Sequence, residues 1–242
     1  MRLDKYLVVE GYFESRNRAN EAIKNNKVKV NNKKAKASTV VDENSIIDVE
    51  DEKFYASRAG RKLESFLLES FFEEHPINLK DKIALDIGSS TGGFSQIVLE
   101  KGIKSLDCVD VGTNQLHKII KQDKRVTSFE QMDIRKFEPN TSYELITCDV
   151  SFISILQIID DIDRLSQKNT DIIILYKPQF EVGKIAKRDS KGVVVDIDTI
   201  NRKKEEFEDI VSKLNWNIIY QTTSTLKGKE GNVEYIYYLV KE

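Results

Sequence analysis

The spacing of apolar residues changes character near residue 50. Before it, Leu3, Tyr6, Leu7 and Val8 recur at helical intervals and predict a short amphipathic helix over Arg2–Gly11. Ser15 is placed to cap a second helix, Arg16–Asn25, with Ala19, Ala22 and Ile23 on its inner side. Lys27–Asn32 alternates basic and apolar residues into an Asn turn, the pattern of a strand, and Ser45–Val49 reads as another. Beyond Ser57, Leu63, Phe66, Leu67 and Phe71 fall on one helical face. Short apolar runs then alternate with helical stretches. The predicted strands are Ile83–Asp86, Ser105–Asp110, Val126–Glu130, Leu145–Cys148 and Ile172–Tyr176; the predicted helices are Phe94–Lys101, Asn114–Gln122, Ser154–Ser166 and Asp198–Leu214. Runs apolar on both faces, separated by helices, predict a doubly wound, mostly parallel α/β sheet. Trp216–Leu226 and Val233–Val240 flank a Gly-rich turn, Lys227–Gly231, and read as a closing hairpin that brings the sheet to seven strands with one antiparallel edge. The expected organisation is a small α+β domain over 1–50, a linker over 51–56 and the large domain over 57–242.

Composition narrows the class. The 242 residues are 40% hydrophobic and 32% charged, enough for a core. No run approaches the roughly 18 apolar residues that span a bilayer, and the first residues lack a signal-peptide pattern, so a cytoplasmic protein without a membrane partner is expected. Cys108 and Cys148 lie in apolar predicted strands and read as reduced core thiols; with His75 and His117 far apart they make no zinc pattern, and no metal is expected. The net charge of −2 conceals an asymmetry: residues 1–41 hold ten Lys/Arg against four Asp/Glu. Arg2, Lys5, Arg16, Arg18, Lys27, Lys29, Lys33, Lys34 and Lys36 form a basic set suited to a polyanion, the alternative being an ordinary solvated surface. Little aromatic interleaving accompanies it, which favours shape reading of folded RNA over stacking on single strands.

Candidate chemistry centres on KIALDIGSSTGG, Lys82–Gly93. A buried strand ending in Asp86 meets Gly88, Ser89, Ser90, Thr91, Gly92 and Gly93, and a helix follows. That is how a doubly wound sheet builds a nucleotide site. The spacing is not GxGxxG, and no Gly-Lys-Ser/Thr follows to hold a triphosphate. An acid before GxxxGG suits S-adenosylmethionine, whose ammonium a carboxylate receives; a tight turn without ligand is the alternative. Asp110, ending the second strand, is placed for ribose hydroxyls, and Asp133, in QMDIR, for an adenine amino group, although each acid alone is a common loop cap.

Lys62, Asp149 (CDVSF), Lys177 (ILYKPQF) and Glu234 (GNVEYIYY) are ionisable groups that such a sheet brings to one rim. Two lysines and two acids suit methylation of a ribose 2′-hydroxyl, which needs in-line alignment and removal of a proton. Lys177 is then the base, with Lys62 depressing its pKa from the ordinary ~10.4 or orienting the hydroxyl, and Asp149 and Glu234 balancing charge. A set of rim salt bridges is the plain alternative. Arg58 and Arg61 are candidate phosphate contacts.

The first fifty residues resemble the S4 RNA-binding domain, on Arg2-Leu3-Asp4, Ser15-Arg16, Ala19, Ile23 and the Val28-x-Val30-Asn31 strand. The whole chain resembles the TlyA, or haemolysin A-like, family of FtsJ-type ribosomal RNA 2′-O-methyltransferases. The carrying stretches are SRAGRKL (57–63), LDIGSSTGGF (85–94), VDVGTNQL (109–116), CDVSFIS (148–154), KPQFEVG (177–183) and GNVE (231–234). The resemblance implies a Rossmann-like methyltransferase fold, S-adenosylmethionine as cofactor, and a Lys-Asp-Lys-Glu tetrad falling on Lys62, Asp149, Lys177 and Glu234. It implies a cytidine in ribosomal RNA as target. Because the chain starts at the S4-like segment and stops soon after the last strand, the shorter kind of member is expected, acting on the large subunit, as a monomer. The competing readings are a non-catalytic RNA-binding assembly factor and, from the family's older name, a membrane-lytic protein.

Overall fold

The computed structural model describes residues 1–9, 12–13, 15–42, 45–50, 55–183, 186–228 and 230–242. The chain divides into two compact units, Met1–Phe54 and Tyr55–Glu242. Most of the expected linker, residues 51–54, lies outside the described residues, as does the expected end of the first helix at Gly11. Tyr55 and Ala56 pack against the core of the second unit rather than serving as linker.

In the first unit, α1 (Leu3–Val9) and α2 (Arg16–Lys24) cover a small sheet of β1 (Val28–Val30), β2 (Lys33–Lys34) and β3 (Ile47–Val49), in the order β2-β1-β3. Ser15 Oγ accepts the Arg18 N–H at 3.3 Å and starts α2. Asn31 and Asn32 take positive φ (50° and 61°) to turn β1 into β2, a conformation Asn tolerates. Leu3, Leu7, Ala19, Ala22, Ile23, Val28 and Val41 form the core. The basic set is less uniform than its sequence suggests. Arg2 and Arg16 both fork onto the buried Asp4, and Lys29 faces Lys34 on one side but Asp48 on the other.

The second unit opens with two helices where one was expected, α3 (Arg58–Leu67) and α4 (Ser70–Glu74). Phe71, now on α4, still packs against the layer of Leu63 and Phe66 and stacks on Tyr220, centroids 4.2 Å apart. Next come β4 (Ile83–Ile87), α5 (Gly93–Glu100), β5 (Ser105–Val109), α6 (Lys118–Lys121), β6 (Val126–Phe129) and a 3-10 turn at Ile134–Lys136. The expected helix over Asn114–Gln122 is shortened because Asn114 takes φ 52° and gives its N–H to Glu130. After β7 (Tyr143–Cys148), the expected helix over Ser154–Ser166 divides at Ile158 into a 3-10 turn, Ile155–Gln157, and α7 (Ile159–Leu165). Then follow β8 (Ser166–Tyr176), α8 (Pro178–Glu181, opened by a proline at its first position), α9 (Ile197–Lys213), β9 (Trp216–Thr223) and β10 (Tyr235–Lys241).

The seven strands run β6-β5-β4-β7-β8-β10-β9. The first five are parallel; β10 is antiparallel to both β8 and β9. The expected hairpin is present but shorter, so Leu226, Val233 and Glu234 lie outside its strands. Apolar layers cover both faces, one around Leu85, Ile146, Ile174 and Phe207, the other around Leu63, Phe94, Val98 and Ile173. The chain winds from β4 outward through β5 and β6, then returns to β7 on the other side of β4. Strand order thus reverses between β4 and β7, where a doubly wound sheet opens a crevice at its carboxyl edge.

Candidate active site

At that reversal Gly88, with φ 74°, turns the chain out of β4; a Cβ there would sit 3.0 Å from the Asp149 carbonyl. Gly92 takes φ 89° just before α5, and Gly93 lets α5 approach α3, since its Cβ would strike Ser57 and lie 2.8 Å from the Gly60 nitrogen. Thr91 and Gly92 are absent from the wall of the large cavity beside this turn. That cavity, ≈ 580 Å³, is lined by Gly88, Ser90, Asp110, Gly112, Gln115, Met132, Asp133 and Val150 among others. Asp110 accepts the N–H groups of Ser90 (2.8 Å) and Gly112 (2.7 Å), one on each oxygen. A carboxylate has about four acceptor positions, so two remain for a diol. Asp133 is already forked by Arg135 at 2.6–3.1 Å, which holds its carboxyl at about 2.

Asp86 differs from its sequence expectation. It has no exposed surface, and its oxygens take the hydroxyls of Ser95 (2.5 Å) and Thr147 (2.8 Å) rather than facing outward to an ammonium. It borders a smaller cavity of ≈ 140 Å³ that Ser89, Ser90, Thr91, Gly93 and Lys177 also line. Burial, against the pull of the two hydroxyls, pushes its carboxyl up to about 7. Between the unfolded value near 4 and about 7 the folded chain keeps a proton that the unfolded chain has released, so this contribution to stability falls as pH rises through that window. Asp86→Asn removes the linkage: urea melts are expected to show a smaller stability loss from pH 5 to pH 8 than in the wild type, by a few kcal/mol. Equal losses would refute it.

The four residues expected at one rim do meet. Lys62 projects from α3, Asp149 follows β7, Lys177 follows β8 and Glu234 precedes β10, and all four line a cavity of ≈ 620 Å³. They stand as two ion pairs, Lys62–Glu234 and Lys177–Asp149, each at 2.5 Å. Lys62 is therefore neutralised by Glu234 instead of being set against Lys177. Gln179 donates to the other Glu234 oxygen at 2.8 Å, and Lys177 also donates to Ser151 Oγ at 2.8 Å. Burial raises the Asp149 carboxyl, with Lys177 pulling it back. Gly228 packs closely on this group: a Cβ would sit 2.5 Å from Glu234 Oε1, so the carboxylate would have to shift.

Asp149 and Ser151 line all three cavities, so the large cavity beside the glycine turn and the lysine-lined one share a wall. Phe152 stands on that boundary, 92% exposed, at φ 67°, its ring 5.2 Å from that of Phe180. Ser151, Phe152, Gln179, Phe180 and Arg188 were not singled out from sequence. The first four sit inside CDVSFIS and KPQFEVG, whose pattern marked only one residue each. Arg58 lines the lysine cavity and donates to the Lys227 carbonyl at 3.1 Å, whereas Arg61 lies over the Tyr55 ring and is absent from the cavity wall. The other basic candidates, Arg2, Lys5, Arg16, Arg18, Lys27, Lys29, Lys33, Lys34 and Lys36, all belong to the first unit.

Comparison with known proteins adds the following. The model of FtsJ-like methyltransferases matches residues 55–241, and that of the S4 domain matches residues 1–47. The 23S rRNA (cytidine-2'-O)-methyltransferase TlyA of Campylobacter jejuni is 42% identical over 260 residues, covering all of both chains. The 16S/23S rRNA (cytidine-2'-O)-methyltransferase TlyA of Mycobacterium tuberculosis is 32% identical, covering 98% of this chain and 89% of the other. A solved Streptococcus thermophilus chain described as a hemolysin superposes with a TM-score of 0.71 at 30% identity, covering 100% of this chain and 88% of that one.

Proposed function

On the premise that the chain belongs to the FtsJ-like methyltransferase family and carries an S4 domain, we propose that it methylates the 2′-oxygen of a cytidine ribose in ribosomal RNA with S-adenosylmethionine as cofactor. The large subunit is the substrate in this reading, supported by the name of the Campylobacter jejuni relative, and the protein works as a cytoplasmic monomer. Among the described residues no helix is long and apolar enough to cross a membrane, and nothing in the site favours a lytic role.

The cavity beside the glycine turn suits the cofactor. Its ≈ 580 Å³ falls within the range of small-molecule sites. Asp110 retains acceptor capacity for a ribose, Met132, Ile134 and Val150 give apolar walls for a purine, and Gly88 allows close approach. When bound, S-adenosylmethionine supplies an electrophilic methyl group. The protein's own work is done across the shared wall. The target ribose enters the lysine-lined cavity, where Lys62, fixed by Glu234, orients the 2′-hydroxyl. Lys177 accepts the hydroxyl proton once its own proton has passed to Asp149, whose carboxyl burial has already raised. Phe152 and Phe180 offer rings to an unstacked base, and Arg58, Arg188 and Lys227 line the same cavity for the flanking phosphates.

The observation that carries this reading is the shared wall: a nucleoside-sized cavity and a doubly ion-paired one meet at Asp149 and Ser151. The test is transfer of label from S-adenosylmethionine to separated ribosomal subunits and their naked RNAs, with the product mapped. Label on a cytidine 2′-oxygen of large-subunit RNA is the expected result. Label confined to the small subunit would overturn the subunit choice, and label on a base nitrogen or carbon would overturn the reaction.

A further inference from the structure

The loop after β7 and the segment after β8 are joined by contacts that climb in step. Lys177 reaches Asp149 and Ser151. Three residues on, the Phe180 ring lies 5.2 Å from Phe152. One residue further, Glu181 takes the Ser154 hydroxyl at 2.5 Å on one oxygen and the Ile155 N–H at 2.9 Å on the other. Glu181 is the last rung. It lines neither the cofactor cavity nor the lysine cavity, so it is not placed to touch either substrate. Burial raises its carboxyl while Ser154 and Ile155 pull it back. A buried acid with both oxygens spent on one neighbouring loop holds that loop in place.

The held segment matters because it carries Ser151, a partner of Lys177, and Phe152, whose φ of 67° is unfavourable for a bulky residue unless its surroundings impose it. Ser154 also caps the 3-10 turn that follows, through the Leu156 N–H at 3.2 Å. Glu181 therefore anchors the far end of the strained stretch while Lys177 anchors the near end.

We propose that Glu181 is a positioning residue for methyl transfer: it staples the Ser151–Phe152 loop to the segment bearing Lys177 and so fixes the direction of the Lys177 amine. This rests on the methyl-transfer reading above. A displacement of about 1 Å in such a group costs on the order of 100-fold in rate. Glu181→Ala is accordingly expected to lower kcat about 10- to 100-fold, with KM for RNA and Kd for S-adenosylhomocysteine within about twofold of wild type. Amide exchange over residues 150–156 should accelerate. Glu181→Gln, whose amide can accept from Ile155 and donate to Ser154, should restore kcat to within about threefold. If Glu181→Ala does not fold, Ser154→Ala opens the same staple from the other side, and combining it with Glu181→Gln should give less than the product of the two losses.

Unchanged kcat in Glu181→Ala would overturn the proposal. So would a kcat loss matched by loss of cofactor affinity, or failure of glutamine to rescue, because either would mark a general structural role. Should the wild-type protein label no RNA at all, the functional reading falls by itself. Exchange over 150–156 then decides the staple alone: unchanged rates in Glu181→Ala refute it, and accelerated rates retain it.

Discussion

Lys177→Ala is expected to reduce methyl transfer about 10³-fold, the scale of a lost general base, while S-adenosylhomocysteine binds within about twofold of wild type. The two halves of this expectation follow from position. Lys177 lines the lysine cavity and the small one beside the glycine turn, but not the ≈ 580 Å³ cavity that suits the adenosyl group. Its amine is committed to Asp149 and Ser151, the two residues at the shared wall. Alanine leaves Asp149 buried without its cation, and that carboxyl, already raised, takes a proton rather than standing charged. The variant therefore folds with a neutral Asp149 and no amine to receive the hydroxyl proton. Single-turnover transfer and calorimetric titration read the two quantities separately. Activity retained near wild type would place the base elsewhere, and affinity lost together with activity would move Lys177 into cofactor binding.

Glu234→Ala should be the most destabilising change at the site, at about 3–5 kcal/mol, because it strands a buried ammonium. Lys62 is only 7% exposed, and Glu234 also receives Gln179 on its second oxygen, so the substitution orphans two donors. The double replacement Lys62→Met with Glu234→Leu removes both charges at similar volume. Pairs treated this way commonly recover stability. Urea melts should show the double variant close to wild type and the single variant far below it, with both inactive in transfer. A single variant within about 1 kcal/mol of wild type would mean that water screens the pair as at an open surface. An active double variant would mean that the pair has no part in the chemistry.

The central sheet was legible because its parallel strands are covered on both faces, which leaves short apolar runs such as Ile172–Tyr176 with little to confuse them. The order of those runs also placed Asp149 and Lys177 at strand ends and Lys62 and Glu234 near them. What sequence did not show depends on partners distant along the chain. The helical spacing of Leu63, Phe66, Leu67 and Phe71 continues across the break at Leu68–Glu69, and the Tyr220 ring on β9 that stacks on both Phe66 and Phe71 is distant along the chain. Asn114 leaves the predicted helix for Glu130. Asp86 turns inward because Ser95 and Thr147 arrive from α5 and β7. The pairing of the four ionisable residues was hidden for the same reason: adjacency at a rim does not say which lysine takes which acid. Phe152 was hidden differently, because nothing in CDVSFIS distinguishes a ring standing in solvent from one in the core.

β10 lies between β8 and β9 in the sheet, although β9 precedes it along the chain. During synthesis, β9 emerges before its neighbour β10 exists, and the side of β8 that β10 covers waits with it. Glu234, immediately before β10, takes its place beside Lys62 only when that gap is filled. A nascent chain interrupted before Glu234 thus carries the glycine turn and every lining residue of the ≈ 580 Å³ cavity but lacks the last of the four ionisable groups. It also presents an unpaired run of isoleucines along β8, Ile172 to Ile174, as a template for aggregation. Insertion of one strand, the last along the chain, thereby completes both the sheet and the group of four ionisable residues.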